Sequence, residues 1–397
     1  MVDKVHIKNL NKSCTSNSYV AGSFEYFFLQ NGFSVVDSEE EADVIILNGC
    51  NVVDNNSKLN QEYSALAKAL PNKKILSVGC TPSLNRPGDI PKNFYFLPYR
   101  RILAKPSEIT DIIKAQIPFQ FAPADYMMPD NKKEFWQALG LDMEGMCYIR
   151  IADGCQDKCA FCEIKSAKGS LTSVPLKNIM DEFVSGLNKG KRKFWLFADD
   201  VSVWGRDRGL DIADLCAALL KREPSARLHF FEGTPSYIVD ILDRIEPYLQ
   251  SIDFLMIPFQ SGSNKILSSM NRRYTIEPIL EGVRRMKNIN PNIFLKTTAI
   301  VGFPGETRDD LRKTLVAATY FDSTIFFRYQ VKLGTESAGL KGKISEEEIS
   351  FRMELVRNTA RRLGIFENLS AITGVDSAFG YQDQLWVRKN IGRISKD

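Results

Sequence analysis

The sequence predicts an α/β protein in two parts, an N-terminal doubly wound α/β domain and a partial, TIM-like (β/α)6 barrel. Two observations carry this prediction. Short apolar runs alternate with segments of helical periodicity along most of the chain. Several of the runs are apolar at nearly every position, as in parallel strands buried on both faces.

In the first hundred residues an apolar run leads to a cysteine and then to a helical segment. Val5-His-Ile leads towards Cys14, Ala42-Asp-Val-Ile-Ile-Leu-Asn-Gly ends at Cys50, and Lys74-Ile-Leu-Ser-Val-Gly ends at Cys80. Tyr19 to Gln30 and Lys58 to Leu70 carry apolar residues at helical spacing. Ligands of doubly wound domains gather beyond the carboxyl ends of the strands. Cys14, Cys50 and Cys80 would then share one rim; the alternative is three unrelated core cysteines. From Cys147 onwards six runs read as strands: Cys147–Ile151, Phe194–Phe197, Arg227–Phe231, Phe254–Ile257, Ile293–Thr298 and Thr324–Arg328. In barrels the chemistry sits on the loops beyond such strands. Those loops carry a cysteine triplet, Asp199-Asp200, Glu232-Gly-Thr-Pro235, Gln260-Ser-Gly-Ser263, Gly302-Phe-Pro-Gly-Glu306 and Tyr329-Gln-Val-Lys332.

The composition is that of an ordinary globular protein, 44% hydrophobic and 25% charged over 397 residues. A net charge of +4 is only mildly basic, and its densest run, Lys189-Gly-Lys-Arg-Lys193, reads as a solvated loop. The N-terminus lacks the apolar core of a signal peptide. No run reaches the ~18 apolar residues of a membrane span. Eight cysteines without a secretory signal point to metal binding or catalysis, in the cytoplasm and away from any membrane.

Cys155, Cys159 and Cys162 form a Cys-x3-Cys-x2-Cys triplet. Three thiolates this close can bind three irons of a 4Fe–4S cluster and leave the fourth open, whereas ferredoxin clusters take four cysteines. A structural zinc site wants a fourth ligand, and neither His6 nor His229 is close in sequence. A disulfide would leave one thiol over and suits secreted chains better.

This spacing, with Phe161 before the last cysteine, resembles the radical S-adenosylmethionine (SAM) superfamily. Cys14-Thr-Ser-Asn17, Asn48-Gly-Cys50 and Val78-Gly-Cys80 resemble the N-terminal domain of its methylthiotransferase family. Ile257-Pro-Phe-Gln-Ser-Gly-Ser263, Met270-Asn-Arg-Arg-Tyr-Thr275 and Ala299-Ile-Val-Gly-Phe-Pro-Gly-Glu-Thr307 extend the likeness to about residue 364. The resemblance implies two 4Fe–4S clusters. Cys155, Cys159 and Cys162 would hold the catalytic one, which cleaves SAM; Cys14, Cys50 and Cys80 would hold an auxiliary one that takes part in sulfur transfer. It implies SAM contacts from Phe161, Asp199, Asp200, Gln260, Ser261, Thr298, Val301, Gly302 and Phe303. From the residues alone, Asp199 could equally be a helix cap, Gly302 to Gly305 a tight loop, and Gln260-Ser261 bonding within the barrel mouth. The expected domains are 1–125 for the auxiliary cluster, 140–340 for the radical SAM barrel, and 341–397 for a helical extension and short tail without the family's usual TRAM barrel.

Departures from the family pattern cluster on the rim. Ala198-Asp-Asp200 stands where Gly-Gln-Asn is usual, Gly233-Thr-Pro235 for Ser-His-Pro, and Lys332-Leu-Gly-Thr335 for Arg-Pro-Gly-Thr. Ser13 and Gly49 precede the first two cysteines, and Ile164 and Lys168 replace a usual Pro and Arg. With altered Thr234, Lys332 and Leu333 and no basic tail, the expected substrate is a peptide or protein side chain, with tRNA adenosine as the alternative. An electron donor such as flavodoxin or ferredoxin is expected as partner. The rival readings are a purely electron-transferring auxiliary cluster and a non-catalytic iron–sulfur sensor.

Overall fold

The computed structural model describes residues 3–9, 14–49, 59–81, 90–124, 126, 145–362 and 384–388. The chain forms two compact units, Met1–Trp136 with Glu163–Ser170, and Gln137–Cys162 with Leu171–Asp397.

The first unit is built on five parallel strands, β1 (Lys4–Asn9), β2 (Ser34–Val35), β3 (Val44–Gly49), β4 (Lys74–Gly79) and β5 (Phe94–Pro98), in the order β2-β1-β3-β4-β5. Every residue of β3 is buried, and the two-residue period of a strand explains how. Val44 and Ile46 pack with Phe24, Phe27 and Phe28 of the helix Thr15–Gln30. Ile45 and Leu47 pack with Tyr63 and Ala67 of the helix Leu59–Ala69 on the opposite face. Helices on both faces make the sheet doubly wound, and its order reverses between β1 and β3, the switch point where such folds bind ligands.

The segment Glu163–Ser170 belongs to this unit, whereas the sequence reading gave it to residues 140–340. Its short helix, Ile164–Lys168, buries Lys168 with the ammonium 4.6 Å from the centre of the Tyr99 ring. Such a cation–π contact has no signature in sequence spacing.

The second unit opens with β6 (Met146–Arg150) and the small antiparallel pair β7 (Ala152–Asp153) and β8 (Thr172–Ser173). It continues with β9 (Lys193–Phe197), β10 (Arg227–Phe231), β11 (Ile252–Met256), β12 (Phe294–Val301) and β13 (Ser323–Arg328). β6 and β9 to β13 pair in parallel and in chain order, the six strands the sequence predicts. Trp195, His229, Phe254 and Phe294, neighbours across four strands, stack with ring centroids 5.1–6.4 Å apart. The other face meets the helices: Phe183 of Leu176–Asn188 lies 4.2 Å from Phe194, centroid to centroid. Cys147 and Cys216 are buried core residues.

The described residues of 341–397 fall in this unit. β14 (Gln384–Arg388) adds antiparallel to β13. The helix Glu346–Arg362 is fixed by Arg352, whose guanidinium donates to the Glu306 carboxylate at 2.8 Å and to its carbonyl at 2.9 Å. Glu306 in turn accepts the Gly302 N–H at 2.9 Å. The pair is nearly fully buried, and its hydrogen bonds offset only part of the desolvation, since burial still raises the Glu306 carboxyl.

Candidate active site

The cysteine triplet follows β6 and β7 at the carboxyl end of the barrel strands. Cys155 and Cys159 are half-buried and Cys162 is exposed. The loop is held from three sides. Gly154 N–H donates to Asp199 Oδ2 at 2.8 Å. Ala160 N–H donates to the Met270 carbonyl at 2.9 Å, and Ser337 N–H to the Ala160 carbonyl at 2.8 Å. Asn271, with φ of +57°, turns its amide to the Lys158 carbonyl at 2.7 Å. The Met270-Asn-Arg-Arg-Tyr-Thr275 motif thus acts as a clamp on the triplet, a role the sequence does not reveal.

Burial, and then the charges of Asp200 and Asp157, hold the Cys155 thiol far above its ordinary range. Burial raises Cys159 as well, while Arg272 pulls it down. Coordination reverses this logic, because a metal-bound thiol is deprotonated outright. Among the described residues no three His, Cys, Asp or Glu side chains close around a single ion, and no disulfide forms between described cysteines. Three soft donors spread along one loop fit a multi-iron cluster, which spans more space than one ion.

The two aspartates after β9 divide their work. Asp199 reaches across to the start of the cysteine loop. Asp200, 3% exposed, caps the turn Val201–Val203. One of its oxygens accepts from Ser202 N–H, Ser202 Oγ and Thr234 N–H, and the other from Thr234 Oγ1 at 2.6 Å. The cap is therefore Asp200, not Asp199. Both Asp200 oxygens thus take part in bonds inside the protein. Ser261 likewise bonds inside the protein: it is fully buried, 3.4 Å from Thr314 Oγ1, and accepts from Ser263 N–H. Val301 and Phe303 also present no surface.

Gln260 has φ of +66° and bridges strand ends, donating its N–H to Thr298 and accepting from Ile300 N–H, both at 2.9 Å. Thr298 is buried in β12. Gly302 has φ of +87°, and a side chain there would come within 2.6 Å of Ile349, so glycine is required. Phe161 packs edge-on to Phe303 with centroids 6.5 Å apart, and Phe303 onto Tyr329 at 5.3 Å. Thr234, expected on the substrate rim, is buried against Asp200. Leu333, by contrast, is 70% exposed.

Three further residues join the site unannounced by the sequence. Asp157 accepts from Tyr237 Oη at 3.0 Å, and burial together with Asp157 pushes the Tyr237 hydroxyl up to about 12. Arg272 is buried beside the triplet. Lys296 lies on the fully buried β12, and burial lowers its ammonium despite the opposing charge of Glu232. A lone Lys inside an apolar run was the available signal.

In the N-terminal unit Cys14 stands at the N-cap of Thr15–Gln30, and its side chain makes no capping bond. Cys80 follows β4 directly and donates its N–H to the Gly49 carbonyl at 3.0 Å. Cys50, next after β3, lies outside the described residues. Buried asparagines brace this rim: Asn48 donates to the Asn17 carbonyl at 2.7 Å and Asn17 to Asn9 Oδ1 at 2.9 Å. Gly79, with φ of +86°, leaves no space for a side chain, which would meet the Gly49 carbonyl at 2.6 Å.

Residues 149–318 match the radical SAM superfamily, and residues 4–94 match a family described as Uncharacterized protein family UPF0004. The tRNA-2-methylthio-N(6)-dimethylallyladenosine synthase of Aquifex aeolicus is 28% identical over 81% of this chain and 76% of its own length. The threonylcarbamoyladenosine tRNA methylthiotransferase of Xenopus laevis is 28% identical over 83% of this chain and 60% of its own length. Among solved structures, the radical SAM methyltransferase TsrM of Kitasatospora setae has a TM-score of 0.52 at 12% identity, covering 82% of this chain and 73% of its own; it shows a shared fold. The cysteine loop at the barrel mouth, the N-terminal sheet and these relatives converge: the chain is an enzyme that uses SAM and a 4Fe–4S cluster, and it belongs to the radical SAM methylthiotransferase family.

Proposed function

We propose that the chain transfers a methylthio group to an adenosine of tRNA. The observation that carries this reading is the likeness to tRNA methylthiotransferases, which extends over 81–92% of the chain in relatives such as those of Aquifex aeolicus and Stenotrophomonas maltophilia. The expectation of a peptide substrate leaned partly on Thr234, whose burial removes that support. In this reading Cys155, Cys159 and Cys162 hold the catalytic cluster, which when bound supplies the electron that cleaves SAM. Asp199 fixes the loop that carries them, and Gln260 and Gly302 shape the SAM side of the mouth. Cys14, Cys50 and Cys80, which follow β1, β3 and β4 in sequence, hold a second cluster for sulfur transfer. The strand ends hold the reactants in register.

A peptide or protein side chain is the second reading, favoured by the mild charge of +4 and the exposed Leu333. One experiment separates the two. Anaerobically reconstituted protein is given SAM, a one-electron donor such as flavodoxin or ferredoxin, and bulk tRNA that carries N6-modified adenosines but no methylthio group. The digest should contain a methylthioadenosine nucleoside by mass spectrometry. Binding to the tRNA should also weaken steeply with salt, as phosphate contacts do. No methylthio nucleoside, with turnover on a peptide instead, would replace the tRNA reading.

A further inference from the structure

We propose that Arg272 is a positioning and charge-compensating residue for the cluster on Cys155, Cys159 and Cys162, and that it sets how readily that cluster accepts an electron. The inference rests on the reading that these three thiolates hold the cluster.

The side chain of Arg272 is 8% exposed. A guanidinium stays charged in proteins and has five donors to satisfy. Here Nε is buried without a hydrogen-bond partner. The nearest carboxylate, Asp157, stands 3.6 Å from Nη1, beyond a good hydrogen bond. Asp157 is also shared with Tyr237 and Thr234. Around the cation lie the faces of Phe161 at 5.9 Å and Tyr274 at 5.8 Å, measured to the ring centres. A buried charge this poorly compensated is costly, and a structural role alone gives no reason for it. The remaining groups within its field are the thiols of Cys159 and Cys162. Thiolates bound to iron would bring the missing negative charge to this point.

The same loop fixes the distance. Met270 and Asn271 bind the triplet through Ala160 N–H and the Lys158 carbonyl, and Arg272 N–H is anchored to the Leu267 carbonyl at 2.9 Å. Arg272 therefore cannot drift from the triplet without releasing the clamp. On reduction the cluster gains one electron from the external donor, no bond to Arg272 forms or breaks, and the guanidinium keeps its proton. A fixed cation beside the cluster favours the form with the extra electron. Net charge and hydrogen bonds to sulfur are the levers that set such potentials.

The test is a redox titration of the reconstituted protein followed by electron paramagnetic resonance, without SAM or substrate, together with iron content. Arg272→Met should keep its iron and shift to lower potential. At a fixed potential the ratio of reduced to oxidised cluster should fall at least tenfold, about 59 mV for a one-electron couple. Arg272→Lys should stay near the wild-type value, and Arg273→Gln, exposed on the same loop, should not move it. An Arg272→Met protein with full iron and an unchanged potential would overturn the proposal. If Arg272→Met loses its iron, Arg272→Lys decides: retained iron and potential support the charge, and equal loss overturns it. Failure of the underlying reading looks different. The Cys155, Cys159 and Cys162 triple alanine variant would then hold as much iron as the wild type.

Discussion

The two cysteine sets reach their places by opposite routes. In the barrel unit one loop carries all three thiols, and its position is fixed by bonds from Asp199, Met270 and Asn271. In the N-terminal unit the cysteines follow three different strands in sequence, so a site shared by them depends on the sheet. The local set should tolerate distant damage and fail when its clamps go. The dispersed set should fail whenever the sheet loosens. The difference also explains legibility: a motif within one loop can be read directly, whereas a site assembled from strand ends needs the topology first.

The largest effects break the comparison at the ligands. Replacing Cys155, Cys159 and Cys162 by Ala should leave about four of about eight irons, two clusters being assumed, and abolish SAM cleavage. Replacing Cys14, Cys50 and Cys80 should also leave about four irons, with SAM cleavage intact and the methylthio product lost. Iron analysis and assay of 5′-deoxyadenosine measure both. A second variant with wild-type iron would make the N-terminal cysteines ordinary core residues.

Next comes the sheet that spaces the dispersed set. Ile46 is fully buried at the centre of β3 among Phe24, Phe28 and Leu76. Ile46→Ala should cost about 2–5 kcal/mol in that unit. The expected signature in calorimetry is a lowered first transition, with iron lost from the Cys14 set and retained by the barrel. Equal loss from both sites would mean that the two units do not unfold separately.

What the sequence made legible is the backbone logic. Two-faced burial predicted β3 and β4, and alternation predicted all six parallel barrel strands. What it hid depends on side-chain direction after folding. Asp199 and Asp200 are equivalent in sequence, yet one clamps a loop and the other caps a turn. Arg272 and Arg273 are equivalent in sequence, but only Arg273 is exposed. Thr234 looked like an altered rim residue because nothing in the chain shows that Asp200 draws its hydroxyl inward. The docking of Ile164–Lys168 in the N-terminal unit includes a cation–π contact between residues far apart in sequence.

Asp199 tests the clamp of the local set at smaller scale. Asp199→Ala leaves the Gly154 N–H without its charged acceptor, a loss of about 1–3 kcal/mol. If the aspartate orders the cysteine loop for SAM, SAM affinity measured by equilibrium dialysis should fall by that amount while the melting temperature changes little. The reverse pattern, unchanged affinity with lowered stability, would make it a purely structural bond.

The smallest effect concerns the bottom of the barrel, far from either cysteine set in sequence. Asp253 on β11 receives a two-pronged guanidinium from Arg227 on β10, with Nε 3.0 and 3.1 Å from its two oxygens. Burial alone would raise the carboxyl. His229 and Arg227 outweigh it and hold the group down at about 2. His229 Nε2 lies 3.6 Å away, too long for a strong hydrogen bond, so the Arg227 fork carries most of the lowering. A carboxylate lowered in the folded state stabilises fully above its unfolded value of about 3.9, and that stability disappears as pH falls through about 2. The full shift corresponds to about 2.6 kcal/mol, but the side chain is 34% exposed and solvent screens it, leaving about 1 kcal/mol. Denaturation between pH 5 and pH 2 should therefore show a shallow loss in the barrel transition that Asp253→Asn removes. A loss of the same slope in the Asn variant would assign the acid sensitivity to other carboxylates.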